Sequence, residues 1–269
     1  MQFDLKAYLA RVGIAETPSE ASPATLGRLQ LAQARHIPFE NMDPLTGKVP
    51  DLDPAALWRK LVENRRGGYC FEVNALLGTA LSTLGFKAMP IMARVRNGAP
   101  RGGPRSHMAF IVTIGNETYL ADCGFGGGVP MMPFRLDSAE PQEIVGETYR
   151  VRRDEDTGEE VLERQTSEGW YGLYGFERSP AFQPDFEAAN FVCARWDKAP
   201  FPTNLMMARV TEDGRNTLFN RALKISRNGE SEAQRIETFG DFEEAMTGLF
   251  GLPEQPALYS AVWDRIKDK

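Results

Sequence analysis

Cys70 follows Arg65-Arg66-Gly67-Gly68-Tyr69 and heads the apolar, helix-like run Phe71-Glu72-Val73-Asn74-Ala75-Leu76-Leu77. A thiol at a helix N-terminus meets free backbone N–H groups and the positive end of the helix dipole, which favour the thiolate and so the nucleophile. The same position also suits a free cysteine acting as a small core hydrophobe. What separates the two is whether the chain supplies a base.

The chain has two histidines, His36 and His107. His36 falls where Pro38 should end a helix, and packing or capping explains it. His107 opens an alternating run to Ile114, and Gly115-Asn116 then signals a two-residue hairpin into Thr118 to Ala121. The register this predicts sets Ile114 against Glu117, Ala109 against Asp122 and His107 against Gly124. His107 and Asp122 become diagonal neighbours on one face, roughly 7 to 8 Å apart at the backbone, which their side chains can close to a hydrogen bond. Taken singly, a His in a strand is a satisfied polar residue and an Asp before Gly is a turn former. Taken together with Cys70 they supply a nucleophile, a base and the group that orients the base.

A glycine-rich run, Asp122-Cys123-Gly124-Phe125-Gly126-Gly127-Gly128-Val129-Pro130, follows directly. Such a loop lets backbone N–H groups approach an anion, whether a phosphate or a developing oxyanion, although glycines at a strand end also make ordinary turns.

The elements that must position these residues read as follows. Helices are expected from about Phe3 to Val12, from Ser22-Pro23 to near His36, from Asp53-Pro54 with Leu57, Trp58, Leu61 and Val62 on one side until Gly67-Gly68 interrupts it, and from Cys70 to a stop at Gly85. The last is apolar on nearly every face and should be buried. Glu72 and Asn74 in its first turns then need partners, with Arg65, Arg66 and Glu40 as candidates, in a structural role. After Phe86 the pattern turns to strands: Lys87 to Arg96, His107 to Ile114, Thr118 to Ala121, Tyr149 to Arg152, Val161 to Gln165 and Trp170 to Phe176. Pro180 and Pro184 mark a boundary. Beyond it come a helix from about Asp185 to Ala194, strands near Leu205–Val210, Thr217–Asn220, Leu223–Ser226 and Gln234–Thr238, and helices Phe242–Phe250 and Pro256–Ile266.

Composition narrows the function. The 269 residues carry 31 basic and 37 acidic side chains, net charge −6, without a basic stripe, which argues against nucleic acid as a partner. No apolar run approaches membrane-spanning length, and Met1-Gln2-Phe3-Asp4-Leu5-Lys6 lacks a secretory pattern, so neither a membrane partner nor export is expected. Cys70, Cys123 and Cys193 are odd in number and widely spaced, which signals neither a disulfide framework nor a metal site. Free thiols fit a reducing, cytoplasmic setting.

These residues resemble the arylamine N-acetyltransferase family. Its signature Arg-Gly-Gly-x-Cys-Phe-Glu stands as Arg66 to Glu72, its Pro-Phe-Glu-Asn as Pro38 to Asn41, its His-Met as His107-Met108, its Asp-Val-Gly-Phe-Gly as Asp122 to Gly126, and its Pro-Phe-x-x-Asn-Leu as Pro200 to Leu205. The resemblance spans essentially the whole chain. It implies an α+β fold with an N-terminal helical bundle (1–85), a central β-barrel (86–184) and a C-terminal α/β lid (185–269) around a cysteine-protease-like core.

It further implies Cys70 as nucleophile, His107 as general base and acid, Asp122 as orienter, Phe125 and Phe201 beside the acceptor, and Gly126, Gly127 and Gly128 beside coenzyme A. The expected reaction passes an acetyl group from acetyl-CoA through Cys70 to an arylamine or arylhydrazine, with no metal and no tightly bound cofactor. Two positions depart from the family pattern. Cys123 replaces the usual Val, and strand alternation points it away from Asp122, though a second thiol near the site would be open to oxidation. Ala109-Phe110 replaces aliphatic residues and should reshape the pocket wall. A Cys-His-Asp set also serves a hydrolase or amide synthase with another acyl donor, and reactive thiols alone would serve a non-catalytic binding or redox-sensing protein.

Overall fold

The structure is a computed structural model describing residues 3–128 and 130–269; Met1 and Gln2 at the chain start and Val129 of the glycine-rich run lie outside the described residues. The first part is helical. α1 (Leu5–Arg11) is capped by Asp4, and α2 (Pro23–His36) by Ser22, whose hydroxyl accepts from Thr25 N–H, with Pro23 in its first turn. A two-residue strand β1 (Phe39–Glu40) and the short α3 (Met42–Leu45) follow. α4 (Pro54–Trp58) continues into a π-turn at Arg59–Glu63, and α5 (Cys70–Thr83) is closed by Gly85 at φ +82°.

α5 is the inner helix expected from its sequence. Phe71, Val73, Leu76, Leu77, Ala80 and Leu81 are all buried, and each large apolar side chain contributes about 1.5–3 kcal/mol. Glu72 and Asn74 in its first turns are buried as well, with partners that differ from those anticipated. Glu72 binds Lys60 Nζ at 2.7 Å and accepts from Tyr69 N–H, while Arg66 instead holds Glu40 at 2.6 Å and Asp43 at 3.0 Å. Lys60 also reaches Asp43 at 2.6 Å. The reason is geometric: the π-turn brings Lys60 over the head of α5, and Arg65, at φ 51°, leaves the helix there.

Eight antiparallel strands make the second part: β2 (Lys87–Val95), β3 (Arg105–Ile114), β4 (Glu117–Ala121), β5 (Phe134–Arg135), β6 (Gln142–Ile144), β7 (Glu147–Arg153), β8 (Glu160–Thr166) and β9 (Gly169–Phe176). Their order β5-β4-β3-β2-β9-β8-β7-β6 curls into a barrel-like sheet around Ile91, Phe134, Leu162 and Tyr174. The β3–β4 hairpin has the expected register, Ile114 against Glu117 through Phe110 against Ala121, and β4 ends there, so Asp122 sits just past the strand. Buried Arg96 fastens the acidic turn between β7 and β8 through Asp154 and Glu159, both at 2.6 Å.

The last part holds α6 (Gln183–Arg195), β10 (Met206–Val210), β11 (Gly214–Phe219), β12 (Ala222–Arg227), β13 (Glu230–Arg235), α7 (Phe239–Glu244) with a π-turn at Ala245–Leu249, and α8 (Pro256–Ile266). Pro184 lies in the first turn of α6. β13 begins earlier than the expected Gln234 because Asn228 and Gly229, at φ 50° and 86°, form the hairpin turn, and Thr238 caps α7. β1 joins this sheet, pairing Phe39 with Ala208 and Glu40 with Met207. Among the described residues no helix is long and apolar enough to cross a membrane.

Candidate active site

The Gly67-Gly68 turn sets the position of Cys70. Gly68 N–H donates to Pro38 O at 3.2 Å and Gly68 O accepts from Glu40 N–H at 3.0 Å, so the turn is stitched onto β1. A side chain at Gly67 would collide with the Pro38 carbonyl and Glu40. Buried Arg11 holds the other side, donating to Leu61 O at 2.8 Å, His36 O at 2.6 Å and Arg65 O at 3.2 Å. Tyr69 N–H meets Glu72, completing the first turn of α5 with Cys70 as its first helical residue.

His107 projects from β3 and Asp122 from the end of the hairpin, and their side chains meet, Nε2 to Oδ2, at 2.7 Å. Both are buried. Burial alone would push the Asp122 carboxyl up, but His107, Asn74 and the Gly124 N–H together bring it below the usual carboxylate range. An ionised Asp122 fixes the imidazole proton on Nε2 and leaves Nδ1 as the basic nitrogen. Tyr174 OH donates to Asp122 Oδ2 at 3.1 Å, Asn74 Nδ2 to Oδ1 at 2.9 Å and Gly124 N–H to Oδ1 at 2.7 Å.

The Cys70 thiol departs from the helix-dipole expectation. Burial pushes it well above its ordinary range and Cys193 adds in the same direction, while the N–H groups of Met108 and Phe71 pull it back. A solitary thiolate is therefore disfavoured. Deprotonation has to be coupled to a proton acceptor whose new charge is itself stabilised, which is what an imidazole hydrogen-bonded to a carboxylate provides. A thiol heading a buried helix beside a His–carboxylate pair on the adjoining sheet is the arrangement of cysteine-protease-like cores.

Cys70 and His107 open onto one cavity of about 670 Å³, which Phe125, Phe201, Gly126, Gly127 and Gly128 also line. Phe125 stands edge-on to His107, ring centroids 5.1 Å apart, and Phe201 edge-on to Tyr69 at 5.4 Å. Asn41 anchors the Phe201 loop, donating to Phe201 O at 2.9 Å and Asn204 O at 2.8 Å and accepting from Met206 N–H at 2.7 Å. In the glycine-rich run, the N–H groups of Cys123 and Gly124 are turned inward onto Asn74 and Asp122, so neither faces an anion in the cavity. Gly127 O accepts from Arg215, which ties the loop to β11.

Several expectations are corrected here. Asn74 is no mere helix fastening: it bonds Asp122, Met108 O at 2.6 Å and Cys123 N–H at 3.1 Å, so it sits at the junction of all three segments of the site. Ala109 and Phe110 do not form the pocket wall. Ala109 is buried inside the barrel, and Phe110 packs against Gly78 of α5. Cys123 points away from the cavity, as alternation predicted, into contact with Gln33 Nε2 at 2.9 Å. The second thiol at the cavity is Cys193 of α6, whose Sγ lies 3.7 Å from Ser106 O, the same carbonyl that Cys70 Sγ approaches at 3.7 Å. His36 engages its own helix, Nδ1 to Ala32 O at 2.9 Å. Tyr174 and Cys193 carried no local sequence signal; the unpartnered polar Asn74 on an apolar helix did. Among the described residues no group of three or more His, Cys, Asp or Glu is placed to hold a metal.

Known proteins of similar sequence and fold identify the family. A profile of the N-acetyltransferase family matches residues 23–257. The chain is 36% identical over 258 residues to an arylamine N-acetyltransferase of Mycolicibacterium smegmatis, covering 94% of this chain and 93% of that one. It superposes on the Mycobacterium marinum arylamine N-acetyltransferase with a TM-score of 0.90 at 32% identity, covering 98% of this chain and all of that one. It also superposes on the structure of the M. marinum enzyme in complex with CoA, with a TM-score of 0.89 at 33% identity over 97% of this chain and 99% of that one. Matched by the family profile over most of its length and superposing on a family member across the whole fold, the chain belongs to the arylamine N-acetyltransferase family.

Proposed function

We propose that this protein transfers an acetyl group from acetyl-CoA to the nitrogen of an arylamine or arylhydrazine, in two half-reactions through an acetyl thioester on Cys70. The observation that carries this reading is the convergence of Cys70, the His107–Asp122 pair and the aromatic rings of Phe125 and Phe201 on one cavity. Cys70 passes its proton to His107 as the sulfur attacks the acetyl carbonyl, and the departing coenzyme A thiolate takes that proton back. The amine then attacks the acetyl-Cys70 carbonyl, His107 accepts the amine proton, and Cys70 leaves as the thiol. Asp122 stabilises the imidazolium at each stage.

Exchange between two thioesters is nearly balanced, so amide or hydrazide formation drives the cycle. Arylamines are uncharged at neutral pH and suit a pocket walled by Phe125 and Phe201. Gly126, Gly127 and Gly128 flank the donor beside Phe125. The M. marinum structure holds CoA, which supports a coenzyme A donor here. We further propose that 1–85, 86–184 and 185–269 are the three units that meet at this site; the support is the barrel's own apolar core, whose buried residues all fall between Ile91 and Phe176. Three free cysteines favour a cytoplasmic location, with small molecules rather than nucleic acid or membrane as partners.

Steady-state kinetics test the order of events. Parallel double-reciprocal lines for acetyl-CoA and an arylamine are expected. Intersecting lines would show both substrates bound before transfer and would exclude the two-stage scheme.

A further inference from the structure

Two of the three free cysteines share a hydrogen-bond acceptor. Cys70 Sγ and Cys193 Sγ each lie 3.7 Å from Ser106 O, so both thiols donate to one carbonyl and the sulfurs stand within twice that distance of each other. Both line the same cavity, where a small reagent that reaches one thiol meets the other. Cys123, by contrast, faces the core against Gln33 and Asn74.

Neighbouring residues build this pairing. Tyr69, directly before Cys70, donates its hydroxyl to Asn190 O at 3.2 Å and also meets Asn190 Oδ1. Asn190 stands one helical turn before Cys193 on α6, and its Nδ2 donates to Pro50 O at 2.8 Å. Both Tyr69 and Asn190 are buried. These bonds hold α6 against the head of α5 beside the two sulfurs. The acetyl-transfer cycle engages Cys70 and gives Cys193 no part.

The two thiols differ in readiness to react. Burial pushes Cys193 up to about 12, and the carbonyl it bonds takes no proton from it. Cys70 is also disfavoured as a lone thiolate, but it shares the cavity with the His107–Asp122 pair. Peroxides oxidise the thiolate, so Cys70 is the sulfur that reacts first.

We infer that Cys193 is a resolving thiol for Cys70, and that a hydroperoxide entering the cavity of the acetyl-free enzyme closes the two into a reversible disulfide. In the first step Cys70 gives its proton to His107 and its sulfur attacks one peroxide oxygen. The O–O bond breaks, the other oxygen leaves with the proton from His107 as water or an alcohol, and Cys70 becomes a sulfenic acid. In the second step the Cys193 sulfur displaces the sulfenic hydroxyl, which leaves as water with the Cys193 proton. The peroxide is reduced and the two thiols are oxidised. Disulfide sulfurs sit about 2.05 Å apart, so both side chains rotate off the Ser106 carbonyl to bond. The cross-link removes the nucleophile while sparing Cys70 from sulfinic acid, which thiol reductants do not reverse.

The link is read by mass, so its detection does not depend on acetyl transfer. Wild-type protein, C193S and C193A are treated with hydrogen peroxide, alkylated and digested without reductant. Wild type should yield joined Cys70 and Cys193 peptides, lighter by two hydrogen atoms than the two free-thiol peptides together, from monomeric protein with Cys123 unlinked. Dithiothreitol should then restore alkylation of Cys70. In C193S, whose hydroxyl can still bond Ser106 O, and in C193A, the same peroxide dose should instead carry Cys70 to sulfinic acid and leave dithiothreitol little to restore. The wild-type peptide map alone decides the matter if either variant folds poorly. A Cys70 that peroxide leaves unmodified, a wild-type Cys70 oxidised without the Cys193 link, a link to Cys123 or to a second chain, or equal recovery in wild type and well-folded C193S would overturn the inference.

Discussion

Asn74 donates from Nδ2 to Asp122 Oδ1 at 2.9 Å, so the helix that begins with Cys70 grips the carboxylate that holds His107. Asn74 Oδ1 accepts from Cys123 N–H, and the second hydrogen of Nδ2 reaches Met108 O. One amide side chain thus fixes the relative placement of α5, β3 and the loop after β4. That makes Asn74 a positioning residue, touching none of the reacting atoms.

Asn74→Ala should therefore lower kcat for acetyl-enzyme formation more than it raises KM. A hydrogen bond to a charged group is worth about 1.5–3 kcal/mol, which corresponds to a loss of roughly 10- to 100-fold. Removing a donor also raises the Asp122 carboxyl, so the acid limb of the pH–rate profile should move to higher pH. A variant with reduced stability but an unshifted profile and normal kcat would show that Asn74 is only structural.

Thiol reactivity provides a second test. Cys70 and Cys193 line the cavity whereas Cys123 is turned into the core, so alkylation of the native protein should modify Cys70 first, Cys193 next and Cys123 only on unfolding. Because burial disfavours a lone Cys70 thiolate, His107→Ala should slow Cys70 alkylation by about tenfold or more. Peptide mass spectrometry after timed quenching reads both effects. Equal labelling of Cys70 with and without His107 would contradict coupled proton transfer.

The charged clasp beneath the site has a definite pH signature. Lys60 and Arg66 bring Asp43 down to about 2 against the pull of its own burial, which alone would raise it. A carboxyl depressed on folding stabilises the protein above its unfolded value near 3.8, and the contribution is lost as pH falls from there toward 2. Asp43→Asn should cost roughly 2 kcal/mol at pH 7 in urea unfolding, and the difference from wild type should shrink across that acid window. A difference independent of pH would point to packing instead of charge.

Gly67→Ala tests the turn that delivers Cys70. Its new methyl group would meet the Pro38 carbonyl, whose bond with Gly68 N–H must then break or shift. A loss of about 2–4 kcal/mol in stability is expected, together with a fall in Cys70 acylation. Gly248→Ala, away from the cavity and with nothing within 4 Å of the added group, is the control that should change little.

Much of this arrangement was legible in the chain because it rests on local rules. Hairpin chemistry at Gly115-Asn116 set the register that brings His107 to Asp122, and Ser22-Pro23, Gly85 and the apolar run after Cys70 marked helix ends and an inner helix. What could not be read was pairing across long sequence separations. Two-residue β1 is too short to show a period, and its partner β10 lies more than 160 residues away. Glu72 found Lys60 through a π-turn with no sequence signature, and Tyr174 reaches Asp122 from β9, 52 residues further along the chain. The thiol state of Cys70 shows the same limit. The helix dipole is a local feature, whereas the burial that outweighs it is tertiary.

The central claim is a covalent acetyl-Cys70 that a second substrate discharges. Purified protein incubated with acetyl-CoA alone, then digested and analysed by mass spectrometry, should carry one acetyl group on the peptide containing Cys70, and an added arylamine should remove it while N-acetylated amine appears in equal amount. An unmodified Cys70, or an acetyl group that the arylamine leaves in place, would contradict the account.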